Sequence, residues 1–162
     1  MMSRRYRSRR SAQRGAQLVE VSLIAVMLFG LTFLILDLSM AIFLRSTFQH
    51  AVREGVRYAI TGQNSPGPCQ DDSIKNVVKS DALGFLTTTS GAATLHVHWI
   101  NPVDGTVANN AFGNIVEVSV EGYVYKPMAP YMRMNSPLTM WARAYDMMES
   151  LPGALPCITK LE

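Results

Sequence analysis

Several side chains in this sequence are of types that do chemistry. Glu20 is a carboxylate two residues into an apolar run that opens at Leu18. A charge there is costly in hydrocarbon unless it is paired, and cheap if it sits at headgroup level, so Glu20 asks for a cation or for an interface. Cys69 and Cys157 are the two cysteines, and both follow the apolar run, as expected of a segment facing an oxidising compartment. Two readings stand: one disulfide closing a loop of about 90 residues, stabilising by roughly 4 to 5 kcal/mol on the chain-entropy model, or two buried thiols. His96 and His98 stand two apart, hence on one face of a strand, and could begin a metal site. No third ligand has a recognisable spacing, and His50 falls on a helix. Glu117 and Glu121 share a strand face with Ser119 but lack a nucleophile-and-base pattern. Both sets read as the polar side of a sheet. With no glycine-rich phosphate loop and no paired-cysteine motif, the expectation is no enzyme, no cofactor and no metal centre.

The element that must position Glu20 is a helix. Leu18 to Leu44 is a 27-residue stretch that makes about 40 Å of helix, enough to cross a hydrocarbon core of about 30 Å. A mean hydropathy of +0.10 with 17% charged residues is too apolar for an ordinary small soluble domain. Arg4, Arg5, Arg7, Arg9, Arg10 and Arg14 precede the run with no acid among them, whereas from Gly15 onward nine basic residues face twelve acidic ones. That asymmetry puts the N-terminus in the cytoplasm and residues after about 45 outside. It also argues against nucleic-acid binding, which needs basic residues spread over a folded face. Asp37 lies at the outer interface if the span is Val21 to Leu36, and carries an unpaired charge within the membrane if the span reaches Leu44; the interface is preferred on cost.

Beyond the run the pattern becomes amphipathic. Phe48, Ala51, Val52, Val56, Ala59 and Ile60 recur at three- and four-residue spacing, so one helix is expected over about 17 to 61, with Gly62 as its C-cap and Pro66 and Pro68 forbidding continuation. Asp71 or Asp72 is expected to cap a second helix with Ile74, Val77, Val78, Ala82 and Phe85 on its apolar side, ended by Gly91 and the threonines before it. Three β-type runs follow: Thr94 to Ile100, Ile115 to Tyr125 with Val116, Val118, Val120 and Val124 alternating, and Leu138 to Met147. The expected fold class is α+β: a long transmembrane-plus-amphipathic helix packed on a small three-stranded antiparallel sheet with a second short helix. The expected divisions are a basic leader over 1–15, a transmembrane helix over 16–44, its amphipathic continuation over 45–62 and an extracytoplasmic domain over 63–162.

The junction Arg14-Gly15-Ala16-Gln17-Leu18-Val19-Glu20 resembles the class III signal of type IV pilins. The run Ala51-Val52-Arg53-Glu54-Gly55-Val56-Arg57-Tyr58-Ala59, and the closing Thr139-Met140-Trp141-Ala142-Arg143-Ala144 strand, look like the TadE-like pilus-assembly proteins of Tad pili. The resemblance covers about residues 11 to 62 well and the sheet weakly. It implies cleavage between Gly15 and Ala16 by a prepilin peptidase, which makes Glu20 the fifth mature residue and the partner of a neighbouring subunit's new amine. It also implies a minor pilin or pseudopilin, since Val21 stands where the major Tad pilins carry a tyrosine. The implied partners are other pilins, the prepilin peptidase and the inner-membrane assembly platform. The implied place is the bacterial inner membrane, single-pass, with the C-terminal domain periplasmic and, after assembly, in the extracellular pilus. Physically, Gly15 lets an enzyme approach the backbone closely and the arginines hold the leader on the cytoplasmic face.

Two rivals compete with this reading. One is export, through ordinary signal cleavage at Ser39-Met40-Ala41 or a twin-arginine signal; the long apolar run fits it poorly. The other is an unprocessed single-span membrane protein whose outer domain binds a periplasmic ligand.

Overall fold

The computed structural model describes residues 4–63, 65–128, 137–150 and 156–159, with side chains from residue 15 onward. The chain divides into two compact units, Met1–Met40 with Pro127–Ser136, and Ala41–Lys126 with Pro137–Glu162. The elements in chain order are the helices α1 (Arg4–Ile60), α2 (Gln70–Asp81) and α3 (Thr89–Ala92), then the strands β1 (Leu95–Ile100), β2 (Ile115–Tyr125) and β3 (Leu138–Met147). The fold is α+β, as expected.

In the first unit α1 shows its apolar side chains to the surroundings: Leu23 is 58% exposed, Met27 70% and Phe29 60%. The helix itself opens at Arg4, well before the expected start near 17. Ser22, Thr32 and Ser39 turn their hydroxyls back to the carbonyls of Leu18, Leu28 and Ile35, at 2.6 to 2.8 Å, so the small polar residues of the run leave no donor unpaired.

In the second unit the sheet is an antiparallel meander in the order β1-β2-β3, and the end of α1 and the buried side of α2 pack on its inner face. Leu44, Phe48, Ala51, Val52, Val56 and Ala59 of α1 are buried with Val116, Val118 and Val120 of β2 and Ile74 and Val78 of α2. Phe48 is the hub, with the rings of Phe85 and Tyr123 meeting it edge-on at 6.5 and 4.9 Å, a geometry worth about 0.5–1.5 kcal/mol per pair beyond area burial. Gly55 is small for a reason: a Cβ there would lie 2.5 Å from Val78 Cγ2, so the glycine sets how closely α1 and α2 approach. Gly62, with φ +66°, ends α1, and its N–H donates to the Ala59 carbonyl at 3.0 Å, the left-handed cap that glycine adopts without a Cβ penalty.

Three expectations are corrected. Asp71 and Asp72 do not cap α2; its N-cap is Cys69, which makes no side-chain cap. The two carboxylates instead take Thr159, Asp71 Oδ1 from its N–H at 2.9 Å and Asp72 Oδ2 from its hydroxyl at 2.8 Å. A charge in the first helical turn is favourable in either place, which is why sequence alone misassigns it. Second, α2 ends at Asp81, earlier than Gly91, because Leu83 and Gly84 take positive φ of 52° and 83°. Gly91 lies inside α3 with its Cβ position 2.6 Å from the Phe85 carbonyl oxygen. Third, the alternation of β2 breaks. The register with β3 shifts between Val120 and Tyr123, Gly122 has φ +69°, and the bulge turns Tyr123 to the core while Val124 is 47% exposed.

Candidate functional site

Gly15, Ala16 and Glu20 lie on α1, and all three are exposed. Outside the helix's own backbone, nothing lies within 4 Å of a Cβ built on Gly15. Ala16 and Glu20 are one helical turn apart and share a face. Among the described residues no cation pairs with Glu20, so its carboxylate is available to a group from another molecule. The helix carries this junction directly into the apolar run. Among the described residues one helix is long and apolar enough to span a membrane, Gly15–Ile60, with none of its most apolar window buried.

Asp37 has a partner that the sequence does not show. It is 2% exposed, and its Oδ1 accepts the backbone N–H of Met128 at 2.8 Å. The premise of an unpaired charge therefore falls. A carboxylate satisfied by a backbone donor costs far less in a low-dielectric setting than a bare one. No signal short of the fold links positions so far apart in sequence.

Cys69 and Cys157 are joined in a disulfide. Around it lies a set of buried polar groups absent from the sequence reading. Gln70, fully buried, donates from Nε2 to the Ala59 carbonyl at 3.2 Å and accepts from Asn110 Nδ2 at 2.6 Å. Asn110 also donates to the Pro156 carbonyl at 2.9 Å, and the Gln70 N–H donates to the Cys157 carbonyl at 2.8 Å. This network, with Thr159 on Asp71 and Asp72, ties the end of the chain to the junction of α1 and α2. Every member is satisfied, which is the condition for buried polar groups to add order to a core.

The other candidates sit on the outer face of the sheet. Arg143 of β3 bridges Glu117 and Glu121 of β2 at 3.0 and 3.2 Å, and Ser119 Oγ donates to Glu121 Oε1 at 3.1 Å. The two carboxylates thus hold a cation across the strands, an arrangement without a nucleophile. The His96 and His98 rings stack at 5.9 Å. Among the described residues no three histidine, cysteine or acidic side chains gather as a metal site. Asp104, held below its ordinary pKa by the N–H and hydroxyl of Thr106, closes an exposed turn.

The junction, the apolar helix and the amphipathic continuation thus lie in one uninterrupted element. Residues 15–57 match the model of a family described as TadE-like protein. This is the family whose motifs the sequence resembles, and the match opens at the glycine of the junction and closes within the buried half of α1. The TadE-like match covers the helix alone and leaves the sheet and its disulfide outside it. The apolar helix is compatible with single-pass membrane anchoring. No curated protein and no solved structure matches the chain.

Proposed function

We propose that this chain is a minor pilin or pseudopilin of a Tad-type pilus. In this reading a prepilin peptidase cuts between Gly15 and Ala16, and the mature protein stays anchored in the inner membrane by α1 with its N-terminus on the cytoplasmic side. It then joins other pilins, through the assembly platform, by helix-to-helix packing. The supporting observation is that the TadE-like match begins at Gly15, on an exposed helix that carries an unpaired Glu20 one turn beyond Ala16. Cleavage creates an amine at Ala16; the Glu20 carboxylate of one chain and the Ala16 amine of the next neutralise each other as the helices pack. In a low-dielectric medium that pairing favours the assembled state, since neither charge is well solvated alone.

The mature N-terminus, read by mass spectrometry from membranes with and without prepilin peptidase, tests the reading. A peptidase-dependent start at Ala16, abolished by Gly15→Ala together with pilus formation, is expected. A retained arginine leader in both strains would leave an unprocessed anchor with an outer binding domain, and a start near Ile42 would mean an exported soluble protein.

A further inference from the structure

Where the apolar run of α1 gives out, Ala41, Ile42 and Arg45 form one wall of a groove, and Leu138–Trp141 of the edge strand β3 form the other. Its free volume is about 400 Å³, in the range of sites that hold small molecules or parts of larger ones. The groove is open and mostly apolar, with Ile42 63% and Trp141 56% exposed. Among the described residues its one formal charge is Arg45, which is exposed. Among those residues no acid lines the groove and none pairs with Arg45.

We propose that this groove seats the headgroup end of an anionic phospholipid, a proposal that rests on the reading of α1 as a membrane anchor. Two observations choose this occupant. The first is continuity: Ile42 and Phe43 are the last exposed apolar residues of the run that begins at Leu18, so lipid that covers the run reaches the mouth of the groove. The second is charge. A guanidinium without a counter-ion, beside an exposed indole and above aliphatic side chains, is the set of groups found where hydrocarbon meets headgroups. The planar fork of Arg45 takes the phosphate oxygens. Ile42 and Leu138, both exposed, receive the first methylenes of an acyl chain, and the Trp141 ring lies at headgroup level. A peptide strand added to the free edge of β3 would satisfy backbone groups but leave Arg45 without an anion.

The test uses the full chain reconstituted into phosphatidylcholine vesicles that contain a minor fraction of a lipid brominated near the headgroup, either phosphatidylglycerol or phosphatidylcholine. Tryptophan fluorescence reports bromine contact. Trp99 is fully buried, and the Trp141→Phe variant supplies its share of the signal for subtraction. Quenching of Trp141 is expected to be about fivefold stronger with brominated phosphatidylglycerol, the factor for one cation near an anionic surface, and Arg45→Gln should bring the ratio to about one. Near-UV circular dichroism checks that both variants keep the fold. A chain that does not float with the vesicles overturns the anchor itself. A chain that floats but shows a ratio near one with Arg45 intact overturns the lipid seat alone. So does a preference that vanishes as protein density rises while cross-linking traps a dimer, because the groove would then belong to a second copy.

Discussion

One helix carries two halves of opposite fate. Between Leu18 and Phe43 the large side chains of α1 are largely exposed, whereas Leu44, Phe48, Ala51, Val52, Val56 and Ala59 are buried against α2 and the sheet. The difference lies in arrangement. The first half is apolar on all sides, so no single protein face could cover it. The second confines its apolar residues to one stripe, with Arg53 and Arg57 exposed on the other side. A helix apolar all round asks for a solvent; a helix apolar on one side asks for a neighbour.

The contrast can be broken most severely from the far end of the chain. Cys157→Ser should destabilise the second unit by roughly 4 to 5 kcal/mol on the loop-entropy model, lowering its thermal midpoint in detergent, while vesicle partition of the chain stays unchanged. Next in size, Phe48→Ala should cost about 3–5 kcal/mol of domain stability by opening a cavity among Phe85 and Tyr123. Phe29→Ala, 60% exposed in the other half, should leave the same transition in place; equal effects would erase the distinction between the halves. Leu28→Arg should impair membrane insertion by about 3 kcal/mol, measured as the membrane-bound fraction, without unfolding the sheet. The finest comparison is a single methyl group. Gly55→Ala meets Val78 at 2.5 Å and should lower stability by about 1–2 kcal/mol, overpacking outweighing the gain in helix propensity. Gly30→Ala, with nothing within 4 Å, should lower it not at all.

Much of this was readable because periodicity and punctuation act locally. The span, the stripe from Phe48 to Ala59, the cap at Gly62 and the three strands all follow from residue spacing within a few turns of chain. Errors arose where a local rule met a distant partner. An acid in a first turn is a good cap, but Asp71 and Asp72 had Thr159 to bind instead. Val124 continued the alternation until Gly122 inserted a bulge. Asp37 looked unpaired because its donor, the N–H of Met128, is a backbone group that no side-chain pattern advertises. Gln70 and Asn110 were passed over for a related reason: amides give no spacing signal, and their value lies in being satisfied inside a core. At the junction, the resemblance implies roles for Gly15, Ala16 and Glu20, while their exposure on a continuous helix is a property only of the fold.

The tie between Cys157 and the start of α2 also sets an order of events. The stripe of α1 is made early in synthesis, but its covering comes from Phe85 and Tyr123, and the lock on α2 comes from the last few residues of the chain. Until Phe85 and Tyr123 have been made, that stripe lies uncovered and prone to stick to whatever is near; until Cys157 has been made, the covering lacks its covalent lock. A ribosome that stops short of Cys157 therefore leaves a chain that holds the stripe and its covering and lacks only the clasp.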